Sequence, residues 1–233
     1  MAKDKRMTKL KATVTAGQTV AIDEAIKLIK KNAIAKFDET IEISMNLNID
    51  TTQSDQQVRG MIALPHGTGK SVRVAVFAKG DKAELAKKAG ADIVGDDDLV
   101  ELILKGEINF DRCIATPDMM GAVGKVAKIL GPRGLMPNPK LGTVTPQVEA
   151  AVKAAKAGQI EYRAEKAGIV HAGVGKASFT EAQLIENAKA FVAAVARAKP
   201  TGVKGTFINK IAMSSTMGPG MKIDITSALP AAA

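Results

Sequence analysis

Residues 40–49 read Thr-Ile-Glu-Ile-Ser-Met-Asn-Leu-Asn-Ile, and every second side chain in this stretch is apolar. Because successive side chains of a strand point to opposite faces of its sheet, the alternation predicts a strand with one buried and one solvated face. Strands of this kind are typical of antiparallel sheets. The preceding residues 22–31 carry apolar side chains at the spacing of one helical face, so a helix is predicted to lead into the strand.

The middle of the chain has a different pattern. Alternation of mostly apolar strands with helices is typical of βαβ units, so we expect a parallel sheet with helices on its faces. Thr145 at an N-cap position and Pro146 at the first helical position predict one more helix, which ends near Gly158. The other predicted elements are strands at 72–78, 92–95 and 112–116 and helices at 82–89, 96–105 and 118–130.

The half-solvated pattern returns at Ile160 and continues through the rest of the chain. Thr180 and Gln183 have the spacing of a capping box, which marks the start of a helix that runs to about Lys199. The remaining predicted elements are a hairpin of strands 160–164 and 169–174 around a Gly-containing turn, and strands at 206–215 and 221–225.

Both ends of the chain therefore share one pattern and the middle has another, which indicates an insertion. We expect residues 1–66 and 160–233 to form a discontinuous α+β domain of the split-βαβ kind. Residues 67–159 are expected to form a Rossmann-like parallel α/β domain planted within it. The predicted fold class is mixed α/β with two domains.

The chain carries 33 basic against 24 acidic residues, a formal net charge of +9. This surplus favours a polyanionic partner, and nucleic acid before a membrane. The single cysteine, Cys113, excludes an internal disulfide and suits a reducing cytoplasm. No apolar run is long enough to span a membrane. Residues 1–11 are basic but lack a hydrophobic segment, so we interpret them as a basic arm and not as a signal peptide.

Several motifs suggest catalysis or metal binding, and none of them is complete. Gly67–Ser71 resembles part of a phosphate-binding P-loop, but position 64 is Leu and the motif leads directly into a strand. Asp96–Asp98 fit the first turn of a helix better than a metal site. His66 and His171 are far apart without a third ligand, and Cys113 lies in an apolar strand. We therefore expect neither enzymatic activity nor a bound metal or cofactor. A nucleotide-binding α/β enzyme is the disfavoured alternative.

Residues 131–142 read Gly-Pro-Arg-Gly-Leu-Met-Pro-Asn-Pro-Lys-Leu-Gly. The prolines fix φ and the glycines permit positive φ, so this segment is expected to be a rigid, exposed loop. It would present the cations Arg133 and Lys140 and the apolar side chains Leu135 and Met136. Loops of this kind often carry function, although a stiff connection without a partner remains the alternative.

Two short segments offer a surface for RNA. Lys36 and Phe37 lie between the first helix and the first long strand, and Thr216-Met217-Gly218 form the turn between the last two strands. A cation, an aromatic ring, a hydroxyl, a thioether and bare backbone suit contact with riboses and unstacked bases. The alternative is that Phe37 belongs to the core and Met217 fills a gap in a loop.

Several short motifs occur along nearly the whole chain. Besides 131–142, they are Ala35–Thr40, Ser54–Gly60, Leu64–Gly67, Ser71–Val74, Ala115–Asp118, Lys156–Gly158, Val174–Lys176 and Ser215–Gly218. These motifs resemble, in the same order, those of the L-one family of bacterial large-subunit ribosomal proteins. Gln57, where many relatives have Asn, and the Ala-rich tail 231–233 depart from that pattern.

The resemblance implies a monomeric component of the cytoplasmic ribosome that binds 23S rRNA at a mobile stalk. It also implies help in the release of deacylated tRNA from the exit site, and repression of translation through binding to its own operon mRNA. The RNA-contact residues it implies are Lys36, Phe37, Thr40, Ser215, Thr216, Met217 and Gly218, with Arg163, Lys166, His171 and Lys176 on the adjacent hairpin. The loop residues that would face tRNA are Arg133, Gly134, Leu135, Met136 and Lys140.

Overall fold

A computed structural model describes residues 5–12, 14 and 17–229 of the protein. The chain divides into two compact units, the first from Met1–Gly69 and Ile160–Ala233 and the second from Lys70–Gln159. Both units combine helices with sheets, so the predicted mixed α/β class is confirmed. That 1–66 with 160–233, and 67–159, behave as independent domains stays a prediction. The Ala-rich tail and Met1 to Asp4 lie outside the described residues, whereas the rest of the basic arm belongs to a helix.

The strands of the described part are, in chain order, β1 (Thr19–Val20), β2 (Thr40–Leu47), β3 (Arg59–Ala63), β4 (Val74–Phe77), β5 (Ile93–Gly95), β6 (Arg112–Ala115), β7 (Gln159–Arg163), β8 (Ile169–Lys176), β9 (Ile208–Ser215) and β10 (Met221–Ile223). The α-helices are α1 (Lys5–Ala12), α2 (Ile22–Asn32), α3 (Asp81–Lys88), α4 (Asp97–Leu104), α5 (Met120–Lys125), α6 (Ala127–Leu130), α7 (Val148–Lys156), α8 (Glu181–Arg197) and α9 (Ile225–Ala228).

The first unit is built around the half-buried strand β2. Its sheet has the order β1-β10-β9-β2-β8, in which β2 is antiparallel to both of its neighbours. The apolar side chains of β2 are buried, while Glu42 and Asn46 on its other face are exposed. Helices α2 and α8 pack on the apolar face and complete one aliphatic core. The predicted strand, its buried face and the helix before it are confirmed.

Helix α8 begins with the predicted capping box, in which the Thr180 hydroxyl and the Gln183 side chain bond each other's backbone N–H groups. One turn further on, Asn187 is completely buried. Its amide group donates hydrogen bonds to the carbonyls of Gly67 (2.9 Å) and Val174 (2.8 Å), and its oxygen accepts one from the His66 N–H (3.1 Å). Asn187 therefore joins the end of the N-terminal segment to the helix and to β8.

The predicted hairpin at 160–174 has different pairing. Strand β7 pairs with β3 in a separate two-stranded sheet, whereas β8 pairs with β2. A single bridge between Ala164 and Val170 joins the two strands around the turn. The prediction of a regular hairpin was therefore wrong, because β7 and β8 each pair along their length with a strand of the N-terminal segment, β3 and β2 respectively. The two strands that flank the second unit in sequence, β3 and β7, are thus bonded to each other.

The second unit contains a three-stranded parallel sheet in the order β5-β4-β6. Val74 and Val76 of the central strand face a cluster formed with α3 and α7. Ala75 and Phe77 face the opposite cluster, formed with α4, α5 and α6. Because helices cover both faces, the central strand β4 is apolar throughout instead of alternating. The predicted parallel sheet is confirmed.

Two helix predictions in this unit need correction. The helix predicted at 118–130 is broken into a 3-10 turn at Pro117–Met119 followed by α5 and α6. Thr145 is not an N-cap, because α7 begins only at Val148. The Thr145 hydroxyl instead accepts a hydrogen bond from the Gln147 N–H (3.1 Å), which closes a local turn before the helix.

Candidate RNA interface

The turn that carries Met217 is bonded to the start of β2. The Gly218 N–H donates to the Ser215 carbonyl (3.1 Å) and closes the turn after β9. The Thr216 N–H donates to the Thr40 carbonyl (3.0 Å), and the Thr40 N–H donates to the Thr216 hydroxyl (2.9 Å). These reciprocal bonds fix the turn against the strand that follows the Lys36-Phe37 segment.

The side chains of Phe37 and Met217 are presented to solvent. Phe37 is 54% exposed and Met217 is 42% exposed, and Lys36 beside Phe37 is exposed as well. The alternative that Phe37 belongs to the core, or that Met217 fills a gap, is therefore wrong.

The buried side chain of Glu39 connects the Lys36-Phe37 segment to the turn that carries Met217. Glu39 is only 1% exposed. Its carboxylate accepts hydrogen bonds from the Met217 N–H (3.0 Å) and from the Ala35 N–H (3.0 Å). Burial raises the pKa of Glu39, but these two bonds, the Ser215 hydroxyl and the charge of Arg6 outweigh burial and hold the pKa below its ordinary value. Glu39 is therefore ionised at neutral pH.

Arg6 of α1 bonds the same turn from the other side, since its guanidinium donates to the Met217 carbonyl (3.2 Å). The backbone N–H of Met217 is thus bonded to the Glu39 carboxylate, and its backbone carbonyl is bonded to the Arg6 guanidinium. The sequence pattern did not identify Glu39 or Arg6, because charged side chains are usually solvated. The available signal was the position of Glu39 directly before the alternating strand, in line with buried side chains.

Gly218 and Lys176 belong to the same end of the sheet. A Cβ atom on Gly218 would lie 2.5 Å from the Ser215 hydroxyl oxygen, so the turn accepts no side chain at this position without rearrangement. Ser215 itself is buried beneath the turn. The ammonium group of Lys176 donates to the Thr40 hydroxyl (2.8 Å). We call the exposed residues Lys36, Phe37, Thr216 and Met217, with Thr40, Lys176 and Gly218, the turn surface.

Arg163, Lys166 and His171 lie elsewhere. The register of β2 and β8 places Thr40 opposite Lys176 but Ser44 opposite His171, four residues along the strand. At about 3.4 Å per residue, this separates the two positions by roughly 14 Å. His171 is exposed and lies 3.6 Å from the Glu165 carboxylate. The expected contact residues therefore form two separate groups.

A basic cavity brings together Arg163 and Lys166 of the second group, but not His171. Its volume is about 500 Å³, and Arg163 and Lys166 line it together with Arg59. The Arg59 Nε atom is buried and has no hydrogen-bond partner among the described residues. Three basic side chains around one cavity favour an anionic ligand group. Thr51, Gln57, Val58, Ala164 and Glu165 complete the lining.

The loop at 131–142 lies in the second unit and is internally fixed. Gly134 (φ 70°) and Gly142 (φ 66°) adopt the left-handed conformation that the prolines of the segment cannot. The Asn138 N–H donates to the Thr143 hydroxyl (2.7 Å), and the Asn138 side chain accepts from the Lys140 N–H (2.9 Å). The rigidity expected from the prolines therefore has a hydrogen-bonded basis.

The loop presents fewer apolar side chains than predicted. Arg133 and Lys140 are exposed, and Met136 is 36% exposed. Leu135 instead packs half-buried against the cluster around α5 and α6, so its expected presentation is wrong. An apolar side chain next to an open core position gains free energy by burial. The exposed charged and large apolar side chains of the loop are thus two cations and one thioether.

Within the described residues, no group of three or more His, Cys, Asp or Glu side chains is arranged to hold a metal ion. His66 pairs instead with the Glu186 carboxylate (2.6 Å), and burial raises the pKa of the Cys113 thiol. The segment Gly67–Ser71 leads into β4 and not into a helix. No helix in the described part of the chain has the length and apolar character that crossing a membrane requires.

A family model described as "Ribosomal protein L1p/L10e family" matches residues 29–219 of the chain. The match covers most of the 233 residues. It includes the turn surface, the residues that line the basic cavity and the loop at 131–142.

Proposed function

Because the chain belongs to the ribosomal protein L1p/L10e family, it is a ribosomal RNA-binding protein of the large subunit, and we propose that the turn surface is where it grips 23S rRNA at the mobile stalk. The family indicates a structural role in the ribosome and not an enzymatic one. The observation that carries the proposal is the exposure of Phe37 and Met217 on segments whose backbone is fixed by hydrogen bonds.

The chemistry of the turn surface fits RNA loops. Unstacked bases can pack on the Phe37 ring and the Met217 thioether, as they do on apolar and aromatic side chains in single-stranded RNA recognition. Gly218 leaves bare backbone, which lets a ribose approach closely. Lys36 adds a positive charge at the edge for a phosphate. Fixed backbone reduces the entropy lost on binding.

The experiment is a titration of the protein with a fragment of the rRNA stalk. Met217→Ala is expected to weaken binding by about 1–3 kcal/mol, comparable to loss of one base-stacking contact. Met136→Ala is the matched control, since it removes the same atoms from an exposed methionine in the second unit. Unchanged affinity of Met217→Ala with a native circular dichroism spectrum would contradict the proposal.

We assign the basic cavity to a second, separate phosphate contact with RNA. Arg163→Gln is then expected to weaken binding equally across RNA sequences and to reduce the slope of log affinity against log salt by about one. Met217→Ala should leave the slope unchanged, because it removes no charge. A reduced affinity of Arg163→Gln without any change of slope would argue against a phosphate contact.

For the second unit, we propose that the loop at 131–142 faces deacylated tRNA in the exit site and assists its release. Its exposed cations, Arg133 and Lys140, suit the tRNA backbone. Ribosomes reconstituted with the Arg133→Gln/Lys140→Gln variant should release labelled deacylated tRNA at an altered rate in stopped-flow measurements. The same variant should bind the rRNA fragment normally, and an unaltered release rate would contradict the assignment.

The turn surface also suits repression of translation, because a similar RNA fold in the protein's own operon mRNA would offer it the same contacts. Met217→Ala should then weaken binding to the mRNA and the rRNA in parallel. Loss of affinity for only one RNA would show that two different surfaces are used. A nucleotide-binding role of the second unit, the disfavoured alternative, would require nucleotide binding to be detected by calorimetry.

A further inference from the structure

We propose that Glu39 is a positioning residue for RNA binding, which sets the spacing between the Phe37 segment and the Met217 turn without touching RNA itself. The inference rests on the proposed role of the turn surface. Glu39 is almost fully buried, so its carboxylate cannot serve as an RNA contact. Its two oxygens instead bond the backbone of both segments that carry the exposed side chains.

The geometry of the carboxylate couples the two segments. Oε1 accepts the Ala35 N–H at 3.0 Å, two residues before Phe37, and Oε2 accepts the Met217 N–H at 3.0 Å. Ala35 and Met217 are separated by more than 180 residues of chain, so no local turn relates them. One rigid group with two acceptor oxygens therefore defines how far the two segments stand from each other.

The backbone on either side of Glu39 is held as well. The Glu39 carbonyl accepts the Ala177 N–H (2.8 Å), and the neighbouring Asp38 carboxylate accepts both the N–H and the hydroxyl of Ser178. The carboxylate therefore projects from a fixed point next to the end of β8. Arg6 donates to the Met217 carbonyl (3.2 Å), so the residue on the turn is held at both of its polar groups.

Only a carboxylate satisfies both donors. Hydrogen bonds to an ionised acceptor are about twice as strong as neutral ones, and a buried charge without them would be very costly. A glutamine in the same place offers one oxygen and one NH₂ group, which would face the second N–H donor to donor. Glu39→Gln should consequently release either the Ala35 or the Met217 amide while it keeps the size of the side chain.

The sign of the effect on affinity distinguishes positioning from simple electrostatics. Removal of a negative charge next to an RNA site should by itself strengthen binding. Loss of the fixed spacing should weaken it, because the segments must then be ordered during binding. Glu24→Gln is the matched control, since it removes the same charge from an exposed position in the first turn of α2.

The experiment titrates the full-length protein with the rRNA stalk fragment for the wild type, Glu39→Gln, Glu24→Gln and Met217→Ala. We expect Glu39→Gln to bind about tenfold more weakly, equivalent to about 1.4 kcal/mol. Glu24→Gln should bind as tightly as the wild type or slightly more tightly. In amide spectra of free Glu39→Gln, the Met217 or Ala35 signal should shift and exchange faster with solvent, while core amides stay unchanged.

Each result has a definite reading. If Met217→Ala binds normally, the turn surface is not the RNA site and the proposed function fails. If Met217→Ala is weakened but Glu39→Gln matches Glu24→Gln, the positioning role of Glu39 alone is overturned. If Glu39→Gln fails to fold, amide hydrogen exchange of the wild-type protein provides the test. The Met217 and Ala35 amides must then exchange with solvent more slowly than those of Lys36 and Phe37. Equally fast exchange would overturn the inference.

Discussion

Asn187 offers a sharp test of how the discontinuous unit is held together. Its side chain is completely buried and makes three hydrogen bonds, to the His66 N–H and to the carbonyls of Gly67 and Val174. Two of these partners belong to the N-terminal segment and one to β8. Asn187→Ala should therefore loosen the attachment of the N-terminal segment to the C-terminal one.

The expected magnitude follows from the three lost bonds. A buried hydrogen bond contributes about 0.5–1.5 kcal/mol net, and the partners left in the protein interior cannot all reach water. We expect Asn187→Ala to lower the free energy of unfolding by about 3 kcal/mol. With a denaturant slope of about 2 kcal/mol per molar urea, the midpoint should fall by about 1.5 M.

Two intrinsic probes report on the two units separately. Tyr162 is the only tyrosine and there is no tryptophan, so tyrosine fluorescence follows the first unit alone. Cys113, the single cysteine, is buried in the second unit, and its thiol becomes reactive only when that unit opens. In Asn187→Ala, the fluorescence midpoint should shift while the thiol-reactivity midpoint stays in place.

Asn209→Ala is the control, because it makes the same chemical change at an exposed position of β9. Exposed substitutions of this kind usually alter stability by less than about 0.5 kcal/mol. A fluorescence midpoint of Asn187→Ala within about 0.3 M of the control would refute the reasoning. So would an equal shift of both probes, since it would show that the two units unfold as one.

Three further predictions concern the units and their cores. Replacing 70–159 by a short Gly/Ser linker should leave a cooperative melt and retained rRNA affinity, because β3 and β7 on either side pair with each other; a hundredfold weaker affinity would place the RNA site on the second unit. The hydrogen bond from the Val74 N–H and the ion pair with Lys156 lower the pKa of Asp92 despite its burial. The ionised Asp92 carboxylate therefore stabilises the folded protein fully above the ordinary aspartate pKa, and this stabilisation is lost as pH falls through the lower pKa of the folded state. Acid should consequently lower the melting temperature of the wild type more than that of Asp92→Asn. Gly60→Ala should lower the fluorescence midpoint, because its Cβ would lie 2.6 Å from the Tyr162 hydroxyl; an unchanged midpoint would show that Tyr162 moves freely.

Local patterns in the sequence predicted elements that depend on nearby residues. The alternation at 40–49 identified β2 because only one face of the first sheet is covered. The Thr180 and Gln183 spacing identified the start of α8 because a capping box is a contact within four residues. The pairing of β7 with β3 was missed, since the choice of partner depends on residues a hundred positions apart.

The candidate site shows the same division. Exposed Phe37 and Met217 could be suggested from residue type and turn position. The separation of His171 from Thr40 could not, because it depends on the register between β2 and β8. Glu39 could not be identified either, since only the folded sheet brings the Met217 N–H to its carboxylate. A period of two residues specifies faces, but it carries no information about which residues lie side by side.

The strand order of the first sheet has a consequence for synthesis on the ribosome. Strand β2 leaves the exit tunnel early, yet both of its neighbours, β8 and β9, are translated only after the whole second unit. At about 5–20 residues per second, the wait for β9 lasts on the order of ten seconds or more. Until β8 has been made, β2 has two unpaired edges, and one edge stays open until β9 follows, whereas the compact unit of residues 70–159 is complete before either strand. The nascent N-terminal segment is therefore the part of the chain that a holding chaperone would recognise.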